Sequence, residues 1–239
     1  MDFKEADMYQ PLKSHFLGLG FDVRGEVKGL DIALVKDEQI WAVEMKKGFT
    51  MTLIYQALDR QKAVNAVFVA IPRHVFMRQR GHILHILEKL SLGLVAVAMD
   101  SPAKLVDVHL MPNITSGRNT KASKALLAEF AGRNFDDNVG GSTKTKLLTA
   151  YREKALKVAC ALEVVGQGQA PALRRDFGCP DNTYSILNMN SYFWFKKVAK
   201  GVYELSDVGK KALDDPMFAR VVEFYRRNDY ANNTIGEDL

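Results

Sequence analysis

Three charged residues interrupt two consecutive strand-like runs near the N-terminus, and this feature most constrains how the chain can fold. The runs cover residues 29–35 and 41–46, and side chains alternate between the two faces of a strand. Asp31 in the first run, and Glu44 with Lys46 in the second, fall among apolar residues. Charges buried in such a setting cost several kcal/mol each unless they pair or bind a metal ion. The fold must therefore supply partners for all three.

A hard divalent cation would satisfy two carboxylates that project from adjacent strands. Mg²⁺ or Mn²⁺ binds such oxygens and leaves other positions to water and substrate phosphate. The expected ligands are the side chains of Asp31 and Glu44 and the backbone carbonyl of Met45. Lys46 can orient a water molecule or stabilise charge that develops on a phosphate. The alternative is structural, because Glu-x-Lys triplets often mark a solvated strand face and an Asp before a strand often serves a turn.

Asp31 followed by Glu44-Met45-Lys46 resembles the D…(D/E)xK signature of the PD-(D/E)xK phosphodiesterase superfamily. This superfamily contains restriction endonucleases, Holliday-junction resolvases and RecB-type nucleases. The resemblance implies a magnesium-dependent phosphodiesterase with an α/β, restriction-endonuclease-like core, in which helices flank a mixed sheet. The chain departs from the signature in one respect, since no Pro precedes Asp31.

The resemblance also implies roles for further residues. Gln56 lies on the predicted helix after Lys46, where many superfamily members carry a Gln or Tyr that contacts substrate or a metal-bound water. Glu5 matches the place where several members add an acidic metal ligand, although acidic residues also favour helix N-termini through the dipole. Arg60 shares a helix face with Gln56 and is expected to contact nucleic acid. Ordinary surface placement is the alternative for Gln56 and Arg60.

Apolar periodicity predicts that residues 1–112 form this core, with the element order α-β-β-β-α-β-α-β. Pro11 should kink or divide the first helix, and Thr50 is the expected N-cap of the second. The predicted helices cover residues 3–19, 50–64 and 73–90, and the predicted strands cover residues 21–27, 29–35, 41–46, 66–71 and 93–99.

The remainder of the chain is predicted to contain a connector, a second domain and a tail. Residues 113–144 are rich in Ser, Thr, Asn, Asp and Gly and are predicted to form a connector with one short helix. Residues 145–213 are predicted to form the second domain, and residues 214–239 a helix with a frayed end. The second domain is expected to contain helices at 146–166, 171–177, 180–194 and 207–213 and a hairpin at 195–205.

Three helices followed by a two-stranded wing resemble a winged helix-turn-helix domain, and the charge distribution favours a role in nucleic-acid binding. Residues 140–211 hold twelve Lys and Arg against six Asp and Glu, whereas residues 1–100 hold thirteen against twelve. The aromatic run 192–195 is interpreted as core beneath the wing. Winged helices also bind proteins, which stays the alternative. The expected nucleic-acid contacts are Asn182, Thr183, Asn188, Lys196, Lys197 and Lys200.

The whole arrangement resembles a family of bacterial proteins that combine a PD-(D/E)xK phosphodiesterase core with a C-terminal winged-helix-like region. Segments 29–32, 43–47 and 201–206 carry this resemblance. It implies a hydrolase, a nuclease that cleaves nucleic acid, with DNA as the expected substrate and a homodimer as a common assembly. The alternative hypothesis is a non-catalytic DNA-binding or regulatory protein, in which the nuclease-like core is a scaffold and its charges form a buried ion network.

Composition restricts the other possibilities. No segment is long and apolar enough to span a bilayer, and the N-terminus has no signal-peptide pattern, so a cytoplasmic location is expected. Cys160 and Cys179 need neither a disulfide nor zinc. The sequence has no Gly-rich phosphate-binding loop and therefore gives no indication of ATP binding.

Overall fold

The chain folds into two compact units, Met1–Leu147 and Leu148–Leu239. The computed structural model describes residues 3–115, 120–141 and 146–234, with side chains described as far as residue 228. Residues 1–2 of the predicted core, 116–119 and 142–144 of the predicted connector, 145 of the predicted second domain and 235–239 of the predicted tail lie outside the described residues. None of the helices in the described part of the chain has the length and apolar character needed to cross a bilayer.

A six-stranded mixed sheet forms the centre of the first unit, with its strands arranged in sequence order. The first three strands form an antiparallel meander, the fourth and fifth run parallel to the third, and the sixth is antiparallel. The predicted mixed sheet flanked by helices is therefore confirmed. The strands are β1 (Asp22–Val27), β2 (Leu30–Lys36), β3 (Gln39–Met45), β4 (Ala66–Pro72), β5 (Gly93–Val97) and β6 (Val106–Leu110).

Helices cover both faces of this sheet because its central strands are apolar on both sides. All seven residues of β4 are buried. One hydrophobic layer joins the sheet to α2, α3, α4 and α5, and a second joins it to α1. The helices are α1 (Tyr9–Gly18), α2 (Met51–Arg60), α3 (Arg73–Arg78), α4 (Arg80–Lys89) and α5 (Lys121–Ala131).

Several boundaries in the first unit differ from the sequence prediction. The first helix is divided, because a 3-10 turn over Glu5–Met8 precedes α1. Pro11 lies in the first turn of α1, where a missing N–H removes no intrahelical bond. The predicted helix over 73–90 is broken at Gln79, whose φ of −135° leaves the helical region. Thr50 caps α2 as predicted, but α2 ends at Arg60 rather than near residue 64.

The sixth strand was not predicted, although its residues alternate in character. Val106, Val108 and Leu110 are separated by Asp107 and His109. All five positions are only partly buried, so the pattern is weaker than in the central strands. The strand forms because it pairs with the exposed edge of β5.

Part of the predicted connector packs on the first unit. Its predicted short helix forms as α5, where Oγ1 of Thr120 accepts a hydrogen bond from the N–H of Ser123 at 3.1 Å. Leu126 and Phe130 of α5 are buried in the layer that contains α2. Residues 120–131 therefore complete the core of the first unit.

The chain after α5 lies against β1, and we call residues 133–141 the strap. Arg133 is only 2% exposed. Its guanidinium donates hydrogen bonds to the carbonyls of Gly25 at 3.0 Å and Glu26 at 2.7 Å. The polar residues of the strap predict a solvated loop, but Arg133 instead satisfies backbone groups at the edge of the sheet.

In its described residues, the second unit contains five α-helices, a 3-10 turn over Pro216–Phe218 and a three-stranded sheet with the order β7-β9-β8. The short strand β7 was not predicted. The predicted third helix ends at Met189 rather than 194, because Asn190 adopts a left-handed φ of 45°. The elements are α6 (Ala150–Val165), β7 (Gln167–Gln169), α7 (Ala170–Phe177), α8 (Thr183–Met189), β8 (Phe195–Ala199), β9 (Val202–Leu205), α9 (Asp207–Leu213) and α10 (Ala219–Thr234).

Close packing against β4 predicts that Gly93→Ala destabilises the first unit. A Cβ atom at Gly93 would lie 2.5 Å from Cδ1 of Phe68 and 2.6 Å from Cδ of Pro112. We expect the free energy of unfolding in urea to fall by about 1–3 kcal/mol, the usual cost of overpacking.

Gly81→Ala is the matched control, because a Cβ atom at Gly81 in α4 would have no neighbour within 4 Å. Ala is the better helix former, so this variant should gain up to about 1 kcal/mol. A Gly93→Ala protein as stable as wild type would contradict the described packing of β4 against β5.

Candidate active site

Asp31 and Glu44 lie on neighbouring strands, just beyond the last paired positions of β2 and β3. The last pair between these two strands joins Ile32 to Val43, so Asp31 comes just before it on β2 and Glu44 just after it on β3. Ala42, on the same face of β3 as Glu44, belongs to the hydrophobic layer that contains α2. The hairpin therefore brings both carboxylates to the sheet face beneath α2, as the alternation predicts.

The carboxylate of Asp31 is fixed by the backbone of β3. Its Oδ2 accepts a hydrogen bond from the N–H of Met45 at 2.9 Å. Burial raises the pKa of Asp31, while the Met45 hydrogen bond and the positive charge of Lys46 oppose this rise. Asp31 is thus held in place by the strand that carries Glu44 and that ends just before Lys46.

Glu44 is a fully buried carboxylate with one satisfied oxygen. Its Oε1 accepts a hydrogen bond from Nε of Arg60 at 2.9 Å. Its Oε2 is buried and has no hydrogen-bond partner within the described part of the chain. Burial and the negative charge of Asp31 raise the pKa of Glu44 to about 7. A buried acceptor without a donor is costly, which makes this oxygen available to a ligand.

Helix α2 brings two polar side chains to this region. Arg60 binds Glu44 and also donates from Nη2 to the carbonyl of Gly29 at 2.6 Å. Arg60, which the sequence predicts to contact nucleic acid, is therefore already bonded to groups of the first unit. Gln56 lies one turn earlier on α2, and its Oε1 is likewise buried without a hydrogen-bond partner in the described ranges.

Lys46 and Glu5 form an ion pair at the site. Nζ of Lys46 lies 2.9 Å from Oε2 of Glu5, and both side chains are partly exposed. Burial acts to lower the pKa of Lys46, but the hydrogen bond and charge of Glu5 outweigh it, and the pKa is raised. Lys46 is therefore positively charged at neutral pH. The structure brings Glu5, a predicted metal ligand, to the site as the partner of Lys46.

The strap lies against the site, a feature that the sequence analysis missed. A Cβ atom on Gly140 would lie 2.4 Å from the carbonyl oxygen of Asp31 and 2.8 Å from the ring of Tyr9. Gly141 has a φ of 71° and lies beside the backbone of Glu5. The adjacent glycines were the available signal, since paired Gly residues mark close approach of backbones as well as turns.

The donor atoms fit a divalent cation that keeps several of its waters. The described residues contain no cluster of three or more His, Cys, Asp or Glu side chains suited to a metal. Mg²⁺ commonly takes only one or two carboxylates, with water and substrate in the other positions. Asp31 and Glu44 supply two, and Oε2 of Glu44 is unpaired. The backbone carbonyl of Met45 as a third ligand stays a prediction.

The second unit leaves most of the predicted nucleic-acid contacts on its surface. Asn182, Asn188 and the three lysines of the hairpin are exposed. Lys196 pairs with Glu204 at 3.0 Å. The side chains of Lys197 and Lys200 form no hydrogen bond or ion pair with the residues that the structure describes.

Thr183 differs from these residues because it is fully buried. Its hydroxyl donates a hydrogen bond to the carbonyl of Pro180 at the start of α8. A nucleic acid on the surface cannot reach it, so we remove Thr183 from the candidate interface. The aromatic run 192–195 is only partly core, since Trp194 and Phe195 are buried while Phe193 is 75% exposed.

Comparison with known protein families finds one family model that matches a large segment of the chain. Residues 95–212 match the model of a family described as "Putative PD-(D/E)XK phosphodiesterase". This is the superfamily that Asp31 and the Glu44-Met45-Lys46 triplet resemble, so the predicted resemblance is confirmed. The matched segment extends from β5 into α9 and begins after the candidate site. No curated protein and no solved structure matches the chain.

The raised pKa of Glu44 predicts that the first unit loses stability as the pH rises. The pKa is about 7 in the folded chain against 4.5 when unperturbed. Between these values the folded state keeps a proton that the unfolded state releases, so the free energy of unfolding falls with increasing pH. The Gln side chain of Glu44→Gln cannot ionise. As the pH rises from 5 to 8, the free energy of unfolding of this variant should therefore increase by roughly 1–3 kcal/mol relative to that of wild type. Urea unfolding in metal-free buffer measures this difference.

Glu38→Gln, in the exposed turn between β2 and β3, is the control and should keep the pH dependence of wild type. If the stabilities of wild type and Glu44→Gln depend on pH in the same way, Glu44 is not a buried carboxyl group with a raised pKa.

Proposed function

We propose that this chain, whose residues 95–212 match a phosphodiesterase family, is a metal-dependent nuclease that hydrolyses DNA at Asp31, Glu44 and Lys46. The observation that carries the proposal is that two carboxylates lie on adjacent strands and that one of them, Glu44, has a buried Oε2 without a hydrogen-bond partner among the described residues. Such an acceptor is expensive in a purely structural core, whereas a bound cation would satisfy it.

In this proposal Asp31 and Glu44 would hold Mg²⁺ or Mn²⁺, with the Met45 carbonyl as a further ligand. The cation would activate water and polarise a phosphate oxygen. Arg60 acts as a positioning residue, because it holds Oε1 of Glu44 and leaves Oε2 unpaired. The Met45 N–H orients Asp31 in the same way.

Lys46 supplies positive charge beside the carboxylates. Because Glu5 keeps it protonated, Lys46 can donate a hydrogen bond to a phosphate oxygen or to the attacking water. Gln56 offers an unpaired oxygen that can accept a hydrogen bond from a water. In the hydrolysis, the water oxygen bonds to phosphorus, the phosphodiester P–O bond breaks, and the leaving oxygen takes up a proton.

The second unit is proposed to bind the nucleic acid as a winged-helix domain. The element order α6-β7-α7-α8-β8-β9 supports this interpretation. So do the exposed Lys197 and Lys200 on the hairpin and the exposed Asn182 and Asn188 at α8. Lysines at such positions neutralise phosphates, and amide side chains reach phosphates or base edges. A homodimer and a cytoplasmic location stay predictions.

One observation favours the alternative of a non-catalytic DNA-binding protein. Arg60 pairs with Glu44 and Lys46 pairs with Glu5, so two cations already offset two carboxylates. A network of this kind can persist as a scaffold without turnover. The two functions differ in whether metal binds and whether the phosphodiester bond is cleaved.

Calorimetric titration of Mn²⁺ and nicking of supercoiled plasmid by the same preparations test the nuclease. We expect Asp31→Asn and Glu44→Gln to lose both metal binding and nicking. Lys46→Ala should still bind metal but cleave roughly 10²-fold more slowly or worse, the usual effect of removing a preorganised electrostatic group.

Asp22→Asn, which removes an exposed carboxylate at the start of β1, is the control and should behave as wild type. Undiminished nicking by Lys46→Ala would refute the assigned role of Lys46. A wild-type protein that binds DNA but neither binds metal nor nicks would favour the scaffold function.

The salt dependence of DNA binding tests the second unit. Lys197→Ala and Lys200→Ala should each weaken binding for all sequences and reduce the slope of log K against log salt by about 1. Fluorescence anisotropy with a labelled duplex measures both. Arg175→Ala is the control, since Arg175 is exposed but already paired with Asp176. Slopes equal to wild type in both lysine variants would exclude the hairpin from the interface.

A further inference from the structure

Phe193 is the most exposed large hydrophobic side chain among the described residues, at 75%. It lies in the second unit, between the end of α8 and the start of β8. Its backbone φ is 59°, in the left-handed region that bulky residues seldom adopt. The chain therefore displays an aromatic ring in water on a strained backbone.

Backbone contacts hold Phe193 in this strained conformation. Packing of the ring does not offset the strain, because the ring is exposed. Its N–H donates a hydrogen bond to the carbonyl of Asn190 at 2.9 Å. Its carbonyl accepts one from Oγ of Ser206 at 2.6 Å. The next residue is also fixed, because the N–H of Ser206 donates to the carbonyl of Trp194 at 2.9 Å. Residues held in such conformations cluster at functional sites.

The chain on either side of Phe193 carries exposed apolar and cationic side chains. Met189, at the end of α8, is 67% exposed. Lys196 and Lys197 follow on β8, and Lys200 lies in the adjoining turn. An exposed aromatic ring in the same segment as exposed lysines matches a nucleic-acid strand, because bases stack on aromatic rings while phosphates attract ammonium groups.

We infer that Phe193 stacks on an unpaired nucleobase, so that the second unit selects DNA with a junction between duplex and single strand. Stacking within an intact duplex would first require a base step to open, whereas a junction presents a base that is already unpaired. The inference rests on the proposed function, since it assumes that this unit binds nucleic acid. It adds the class of substrate that the nuclease would receive.

The test compares two DNA hairpins of the same stem, one blunt and one with a single-stranded overhang. Binding is measured by fluorescence anisotropy in EDTA, so that no cleavage occurs. We expect wild type to bind the overhang hairpin about tenfold more tightly than the blunt one. We also expect it to protect the first unpaired thymine from permanganate, which attacks unstacked bases.

Phe193→Gly should lose the preference and the protection but keep the affinity for the blunt hairpin. Its melting temperature should equal or exceed that of wild type, because Gly adopts a φ of 59° without strain. Phe193→Trp should restore the preference. Phe224→Ala removes another exposed phenylalanine, 48% exposed on α10, and should behave as wild type.

Three outcomes would overturn the inference. A Phe193→Gly protein that keeps the preference would exclude stacking and leave the proposed nuclease intact. A markedly lower melting temperature for that variant would assign the ring a structural role instead. A wild-type protein that binds neither hairpin would refute nucleic-acid binding by this unit, and the stacking role with it.

Discussion

The buried carboxyl group of Glu44 within the first unit is the constraint on which the candidate site depends. Its burial requires a donor, and α2 supplies one by carrying Arg60 back to β3. The second ion pair, between Lys46 and Glu5, ties the 3-10 turn before α1 to the chain just after β3. The two ion pairs thus connect α2 and the 3-10 turn to the end of β3, while one carboxylate oxygen of Glu44 stays unpaired.

Features governed by local chemistry could be predicted from the sequence. The meander β1–β3 follows from period-two alternation, and the buried strands β4 and β5 follow from continuous apolar runs. Thr50 was identifiable as a cap because its side chain accepts from a nearby backbone N–H. The convergence of Asp31 and Glu44 needed only the strand alternation and a short turn.

Features that depend on contacts not visible in the residue pattern, whether the partner is near or far along the chain, could not be predicted in this way. The aromatic run after α8 looks helical, but Asn190 ends the helix by exchanging two hydrogen bonds with the backbone of Phe195. The sequence pattern places Thr183 on the surface, but its hydroxyl is buried and donates a hydrogen bond to the carbonyl of Pro180. Arg60 looks like a solvated cation, since nothing in α2 indicates that its partner is the strand residue Glu44.

The strap means that the segment carrying Asp31, Glu44 and Lys46 is shorter than the folding unit around it. A fragment ending at Pro112 would contain all three motif residues but would lack α5, whose Leu126 and Phe130 lie in the core. It would also lack Arg133, so the carbonyls of Gly25 and Glu26 would lose their donor. A shortened chain that is still able to fold would therefore have to extend at least as far as Gly141.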